Sequence, residues 1–175
     1  NEFLKTLECT IRPADRLRVD ATQGPQCGRQ LAEAVGGEAL MLRSPITDLK
    51  ARKNETELNA LRSACLSDSA VWVQLLNWLE SAVHHESVTE LGVEKRIHQF
   101  RTDVEDYTAP SFRTISAADG NASLAHYSAP ADGGATLKPS TLFLLDSGGQ
   151  FSRGGTTDTT RTWCFQKPTP ERRRL

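Results

Sequence analysis

Leu144-Leu145-Asp146-Ser147-Gly148-Gly149-Gln150 and, after Phe151 to Gly154, Gly155-Thr156-Thr157-Asp158-Thr159-Thr160-Arg161-Thr162 form the most informative stretch of the 175-residue chain. Thr141 to Leu145 is a nearly continuous apolar run, the mark of a buried strand, and Thr156 to Phe165 is threonine-rich and extended in character. Gly154-Gly155 stands between the two runs, which predicts a hairpin. Asp146 ends the apolar strand and Asp158 lies inside the returning one. If both face the same side, two carboxylates meet where water is scarce, and one of them must keep its proton. One or two divalent cations remove that conflict. Hard oxygen ligands suit manganese, magnesium or calcium, and also a hydrolytic zinc or cobalt pair. Aspartate beside a hairpin turn also serves Asx turns, so the spacing alone leaves a purely structural reading open.

Upstream of the hairpin the hydrophobic period is helical. Asn54 with Glu57 makes a capping-box start, and Leu58, Leu61, Cys65, Trp72, Leu75, Leu76, Leu79 and Val83 follow at helical spacing, predicting a helix over 54–82. Ser87 and Glu90 read as a second capping box, opening a helix with Val93, Ile97 and Phe100 on its apolar stripe and an end near Thr102. The period then changes to two. Residues 111–116 and 122–127 read as strands joined by the turn Asp119-Gly120-Asn121. At the other end of the chain, 16–20 and 38–43 read as strands around a weak helix over 29–35, with Gly28 as a break and Ser44-Pro45 as a turn. Two strands and one helix cannot close a sheet alone, so 1–43 reads as the end of a larger domain.

Composition narrows the function classes. Twenty-one basic against 22 acidic residues give a net charge of −1, which argues against a nucleic-acid or membrane-surface binder held by bulk charge. The one basic run is Arg172-Arg173-Arg174. No apolar stretch approaches the roughly 20 residues of a membrane span. Four dispersed cysteines, Cys9, Cys27, Cys65 and Cys164, fit neither a zinc cage nor a disulfide scaffold, and read as free, mostly buried thiols of a reducing compartment.

The pattern Asp146-Ser147-Gly148-x-Gln150-aromatic, then Gly155-Thr156-Thr157-Asp158-x-Thr160-Arg161-Thr162, resembles the metal-binding hairpin of the Xaa-Pro aminopeptidases (aminopeptidase P), most closely the three-domain cytosolic type. The likeness continues upstream through Ser44-Pro45-Ile46, Lys53-Asn54, Glu57-Leu58, Arg62, Asp68, Asn77 to Glu80, Ser111-Phe112, Thr114 to Ser116 and His126-Tyr127, covering 44–169. The resemblance implies an α+β chain: residues 1–43 as the tail of a non-catalytic α/β domain, and 44–175 as the first half of a pita-bread (creatinase/aminopeptidase-like) fold, with long helices on a curved antiparallel sheet.

By the same resemblance, Asp146 holds one of two divalent metals, usually Mn2+, and Asp158 bridges both. His126 contacts the bound peptide at the scissile Xaa-Pro bond, although one histidine near a strand end is more often structural. The remaining metal ligands and the general base belong to the second half of the family's fold, so no catalytic residue is expected within this sequence. Phe112 matches a position near the cleft or, equally, one in the core. Thr160 and Arg161 match supports for Asp158 or exposed strand residues. The implied activity is hydrolysis of the N-terminal bond of peptides with proline second, in the cytoplasm; a homo-oligomer is expected, with the isolated chain inactive. A non-catalytic pita-bread module that binds peptides or proteins is the rival reading. One departure bears on geometry. The family's two aspartates are one residue closer in sequence than Asp146 and Asp158. An insertion within the paired strands would turn one carboxylate to the other face, whereas one inside the Ser152 to Gly155 turn leaves both in place. The turn is the expected location.

Overall fold

The computed structural model of the chain describes residues 16–20, 25–34, 36–170 and Arg172. Cys9, residue 35 at the end of the expected first helix, and Arg173-Arg174 of the basic run lie outside the described residues. The chain packs as two units, 1–53 and 54–175.

In the first unit, β1 (Arg16–Asp20) and β2 (Glu38–Leu42) pair in parallel, from Arg16 opposite Glu38 to Asp20 opposite Leu42, with α1 (Pro25–Ala34) as the crossover. Gly28 does not break the chain. It sits inside α1, where a Cβ would overlap the Val19 side chain, so its bare backbone lets helix and strand approach. Ser44-Pro45 starts a helix rather than a turn. In α2 (Pro45–Ala51) the Ser44 hydroxyl accepts from the Ile46 N–H at 3.3 Å, and proline occupies the first helical position, where its missing N–H costs nothing.

The second unit is built on α3 (Glu55–His85). Its start is the expected capping box: Asn54 Oδ1 accepts from the Glu57 N–H, and Glu57 Oε2 accepts from the Asn54 N–H, both at 2.9 Å. The helix runs three residues beyond the expected end. It buries Ala64, Asp68, Val71, Trp72, Leu75, Leu79, Ala82 and Val83. Cys65, expected on this face, is exposed, and Cys164 is half-buried. The next helix, α4 (Glu90–Thr102), is capped by Thr89, whose Oγ1 accepts from the Gly92 N–H at 3.1 Å. The expected Ser87–Glu90 box does not form, because Glu90 turns inward to four other donors.

Three strands form an antiparallel sheet in the order β4 (Ile115–Ala118), β5 (Phe143–Ser147), β7 (Thr159–Trp163), while β3 (Tyr107–Pro110) pairs with β6 (Gly149–Phe151). Strand β3 was not anticipated; its proline is tolerated at the end of a two-stranded edge. Residues 122–127 are not a strand. Asp119–Ser123 is a 3-10 turn, and β4 takes β5 as its partner, Ile115 opposite Asp146. Burial alternates along β5: Phe143, Leu145 and Ser147 are buried, while Leu144 and Asp146 on the other face are half-buried. The buried face meets Val71, Leu75 and Leu79 of α3 and Val93 and Ile97 of α4 in one apolar cluster. Trp163 packs between Phe143 and Trp72, its ring centroid 6.3 and 5.8 Å from theirs. Helices thus cover one face of the sheet and leave the face of Asp146 open to other uses.

Candidate metal centre and peptide groove

The hairpin register is unbroken. Phe143 faces Trp163, Asp146 faces Thr160 and Ser147 faces Thr159; beyond the strands, Gln150 still bridges Thr156. On this register Asp158 falls opposite Gly148, two positions from Thr160, so Asp146, Thr160 and Asp158 share one face. In the turn the Phe151 N–H donates to Gly155 O, the Gly154 N–H donates to Phe151 O, and Gly154 adopts φ +96°. Gly148 is required by close approach: a Cβ there would overlap the Thr157 carbonyl oxygen and the Ser111 hydroxyl.

Asp146 is the anomalous group of this face. Its Oδ1 is sealed from solvent and has no hydrogen-bond partner. Burial pushes its pKa above the ordinary carboxylate value; the Thr160 hydroxyl opposite it works the other way, and the neighbouring Asp158, through its charge and as a hydrogen-bond partner, raises it again. A buried, unpaired carboxylate oxygen beside a second carboxylate suits a hard divalent cation, which satisfies the lone pairs and cancels the repulsion. The donor set present therefore fits such an ion on one side. Among the described residues no group of three or more His, Cys, Asp or Glu side chains converges on a common point. The Thr160 hydroxyl acts on Asp146, and exposed Arg161 donates to the Thr160 carbonyl at 2.7 Å.

The sheet carries this site to a second feature. Ile115, across from Asp146, lines a groove of about 300 Å³ together with Phe112, Arg113, His126, Tyr127 and Ser128. His126 is exposed and held at φ +67°, a strained value for a residue with a Cβ. What holds it is its neighbour. The Tyr127 hydroxyl donates to Glu90 Oε2 at 2.6 Å; Glu90, 0% exposed, also accepts from the Ala118 N–H, Asn121 Nδ2 and the Ala135 N–H at 2.7 to 2.9 Å. Burial alone would raise the Glu90 pKa, but these four donors outweigh it and hold the carboxyl below its ordinary value. The bond to Glu90, with burial, pushes the Tyr127 pKa up to about 12.

Behind the hairpin lies a network that the sequence reading missed. Arg101 of α4, 1% exposed, donates from Nε to Asp68 Oδ1 at 2.7 Å and from one terminal nitrogen to Asp68 Oδ2 at 3.3 Å. Its other terminal nitrogen reaches Ser147 Oγ at 2.6 Å, and Ser147 Oγ lies 2.7 Å from Thr114 Oγ1. Thr157 Oγ1 donates to Asp68 Oδ2 at 2.7 Å and accepts from the Gly149 N–H at 2.9 Å. A signal was available. Asp68 lies on the stripe Ala64, Val71, Leu75, and Arg101 on the stripe Val93, Ile97, so opposite charges interrupt the apolar faces of two successive helices.

Comparison with known proteins places this geometry in context. Residues 59–175 match the model of metallopeptidase family M24. The curated "Probable Xaa-Pro aminopeptidase P" of Laccaria bicolor is 39% identical over 153 residues, 86% of this chain and 24% of its own. Among solved structures, X-prolyl aminopeptidase from Caenorhabditis elegans, described as a cytosolic enzyme with a di-nuclear active site, aligns with TM-score 0.78 and 31% identity over 97% of this chain and 27% of its own. Xaa-Pro dipeptidase from Bacillus anthracis aligns with TM-score 0.75 at 20% identity over 99% of this chain and 46% of its own, a likeness of fold. The chain spans about a quarter of the length of the Laccaria and Caenorhabditis relatives.

Proposed function

For a chain that belongs to metallopeptidase family M24, we propose the role of metal-binding and peptide-contacting segment of an Xaa-Pro aminopeptidase, an enzyme that removes the N-terminal residue of peptides with proline second. The observation that carries this reading is the orphaned, buried Oδ1 of Asp146 on the sheet face shared with Asp158. Asp146 and Asp158 would hold divalent ions, Mn2+ first among the candidates. When bound, such ions supply Lewis acidity and acidify the water that attacks the Xaa-Pro carbonyl. Asp146 contributes one otherwise unpaired oxygen, and Thr160 orients its carboxyl from across the strand. His126, fixed by the Tyr127–Glu90 anchor, presents its ring in the Ile115 groove, where a peptide carbonyl or the leaving proline would lie. A cytosolic setting belongs to the same reading.

Two carboxylates make an incomplete cage. The 175-residue chain alone is expected to bind Mn2+ weakly or to leave the site empty, and to leave an Arg-Pro-Pro peptide uncleaved. The decisive test is a full-length relative carrying residues 59–175 in place of its own matched segment. Manganese-dependent cleavage of Arg-Pro-Pro, abolished by Asp158→Ala, is expected. A folded chimera with full metal content and no such cleavage would overturn the reading. The isolated chain should also self-associate, since β7 is the outer strand of its sheet and α3 exposes Leu66 and Val73. Light scattering that shows a monomer of 19.3 kDa at every concentration would refute this.

A further inference from the structure

We propose that the buried Asp68–Arg101 ion pair is the positioning device of the metal-facing carboxylates, acting through Ser147 and Thr157. This rests on the reading of Asp146 and Asp158 as metal ligands.

The argument begins with parity. Successive residues of a strand point to opposite faces. Asp146 and Asp158 occupy one face of the hairpin, and their chain neighbours Ser147 and Thr157 are buried on the other. Those two neighbours are the ones the ion pair grips: Arg101 holds the Ser147 hydroxyl at 2.6 Å, and Asp68 holds the Thr157 hydroxyl at 2.7 Å. Asp68 comes from the first long helix and Arg101 from the second. One charged pair thus ties both helices to β5 and to the segment entering β7, at the residue after Asp146 and the residue before Asp158.

Stability alone is a poor account of the arrangement. Removing two charges from water is expensive, and an apolar pair of similar volume stabilises a core as well or better. What the pair adds is direction. The guanidinium is a rigid planar fork, and three of its nitrogens are committed to fixed acceptors, two on Asp68 and one on Ser147. Ser147 is held in turn by Thr114 of the segment entering β4, and Thr157 by the Gly149 N–H. Sliding or twisting of one strand against the other would break charge-assisted bonds among buried side chains. The separation and tilt of the two carboxylates on the far face are thereby set from behind.

The test uses the 175-residue chain and three variants: Thr157→Val, which keeps shape and strand preference while removing the hydroxyl; Thr157→Ser, which restores it; and Ser147→Ala. Mn2+-induced broadening of backbone amide signals measures affinity into the millimolar range, and amide exchange and thermal melting are recorded without metal. Thr157→Val and Ser147→Ala are expected to weaken Mn2+ binding by about tenfold, the usual scale for losing a group that orients a ligand. They should also speed amide exchange across Asp146 to Asp158, and Thr157→Ser should recover both. Unchanged Mn2+ affinity of the folded variants, with only a lower melting temperature, would overturn the positioning role while leaving the metal reading intact. Asp146→Asn serves as the reference. If the isolated chain shows no Asp146-dependent broadening, the same variants are titrated with Mn2+ in the full-length chimera, where an unchanged Mn2+ affinity overturns the inference, and a chimera that binds no Mn2+ through Asp146 overturns the metal reading with it.

Discussion

Replacing Arg101 with alanine leaves the Asp68 carboxylate, 2% exposed, without its counter-charge and takes the charged donor away from Ser147. Loss of one partner of a buried pair costs about 3–5 kcal/mol, because the remaining charge stays out of water. Thr157 still donates to Asp68 at 2.7 Å, and a hydrogen bond to a charged group is worth about 1.5–3 kcal/mol, which places the expected loss near the lower end of that range. For a protein with a total stability of about 5–15 kcal/mol, this is a large fraction. The double variant Asp68→Leu/Arg101→Met leaves no buried charge at this position, and Ser147 and Thr157 keep Thr114 and the Gly149 N–H as partners. It should return to within about 2 kcal/mol of wild type. Arg62→Ala is the exposed control: Arg62 lies 4.0 Å from Glu55 with both side chains open to water, and its loss should cost no more than about 0.5 kcal/mol. Urea unfolding followed by tryptophan fluorescence reports the change directly, since Trp72 and Trp163 pack within the same unit. Two results would refute the reasoning: a loss below about 1 kcal/mol for Arg101→Ala, the scale of a surface pair, or a double variant as unstable as the single one.

Three further outcomes are expected. The Glu90 carboxyl is held below its ordinary value of 4.5, so its stabilising contribution is fully present above that pH and is lost as pH falls through the lower folded value; Glu90→Gln should flatten the acid limb of melting temperature against pH, and an unaltered limb would count against the network. Asp146 is shifted the other way, so its ionised form is disfavoured in the metal-free fold, and whatever stability its protonated form lends is lost as pH rises through the folded value. Asp146→Asn should therefore raise the metal-free melting temperature at neutral pH and abolish any shift on adding Mn2+; a lower melting temperature would contradict the orphaned oxygen. Gly148→Ala must displace the Thr157 carbonyl or the Ser111 hydroxyl, and a loss of about 1–3 kcal/mol is expected from the denaturation midpoint, an unchanged midpoint being the contrary result.

Local patterns were legible wherever one residue type has one physical use. The Asn54–Glu57 box opened its helix as expected, the second helix ended at Thr102, and the hairpin formed between its two extended runs. The resemblance carried by Asp146 to Thr162 led to family M24, within the span 59–175. Errors arose where a residue could serve two partners. Ser44-Pro45 suits a turn or a helix start equally, and the chain that follows decided for the helix. Glu90 could close a capping box on its own helix. Four donors from β4, Asn121, Tyr127 and Ala135 offered more than one back-bond could, so the carboxylate turned inward and residues 122–127 were drawn towards it instead of into a sheet.

The sequence by itself determined the two long helices, the hairpin and the place of the two aspartates along it, because caps, periodicity and turn residues act over a few positions. Only the tertiary structure decided that Asp146, Thr160 and Asp158 share one face and that Asp146 keeps one oxygen unpaired. It also decided that Asp68 and Arg101, thirty-three positions apart, share a buried bond on the side of the hairpin away from Asp146. Register and charge pairing depend on which segments meet across the core, and no local pattern along the chain encodes that meeting.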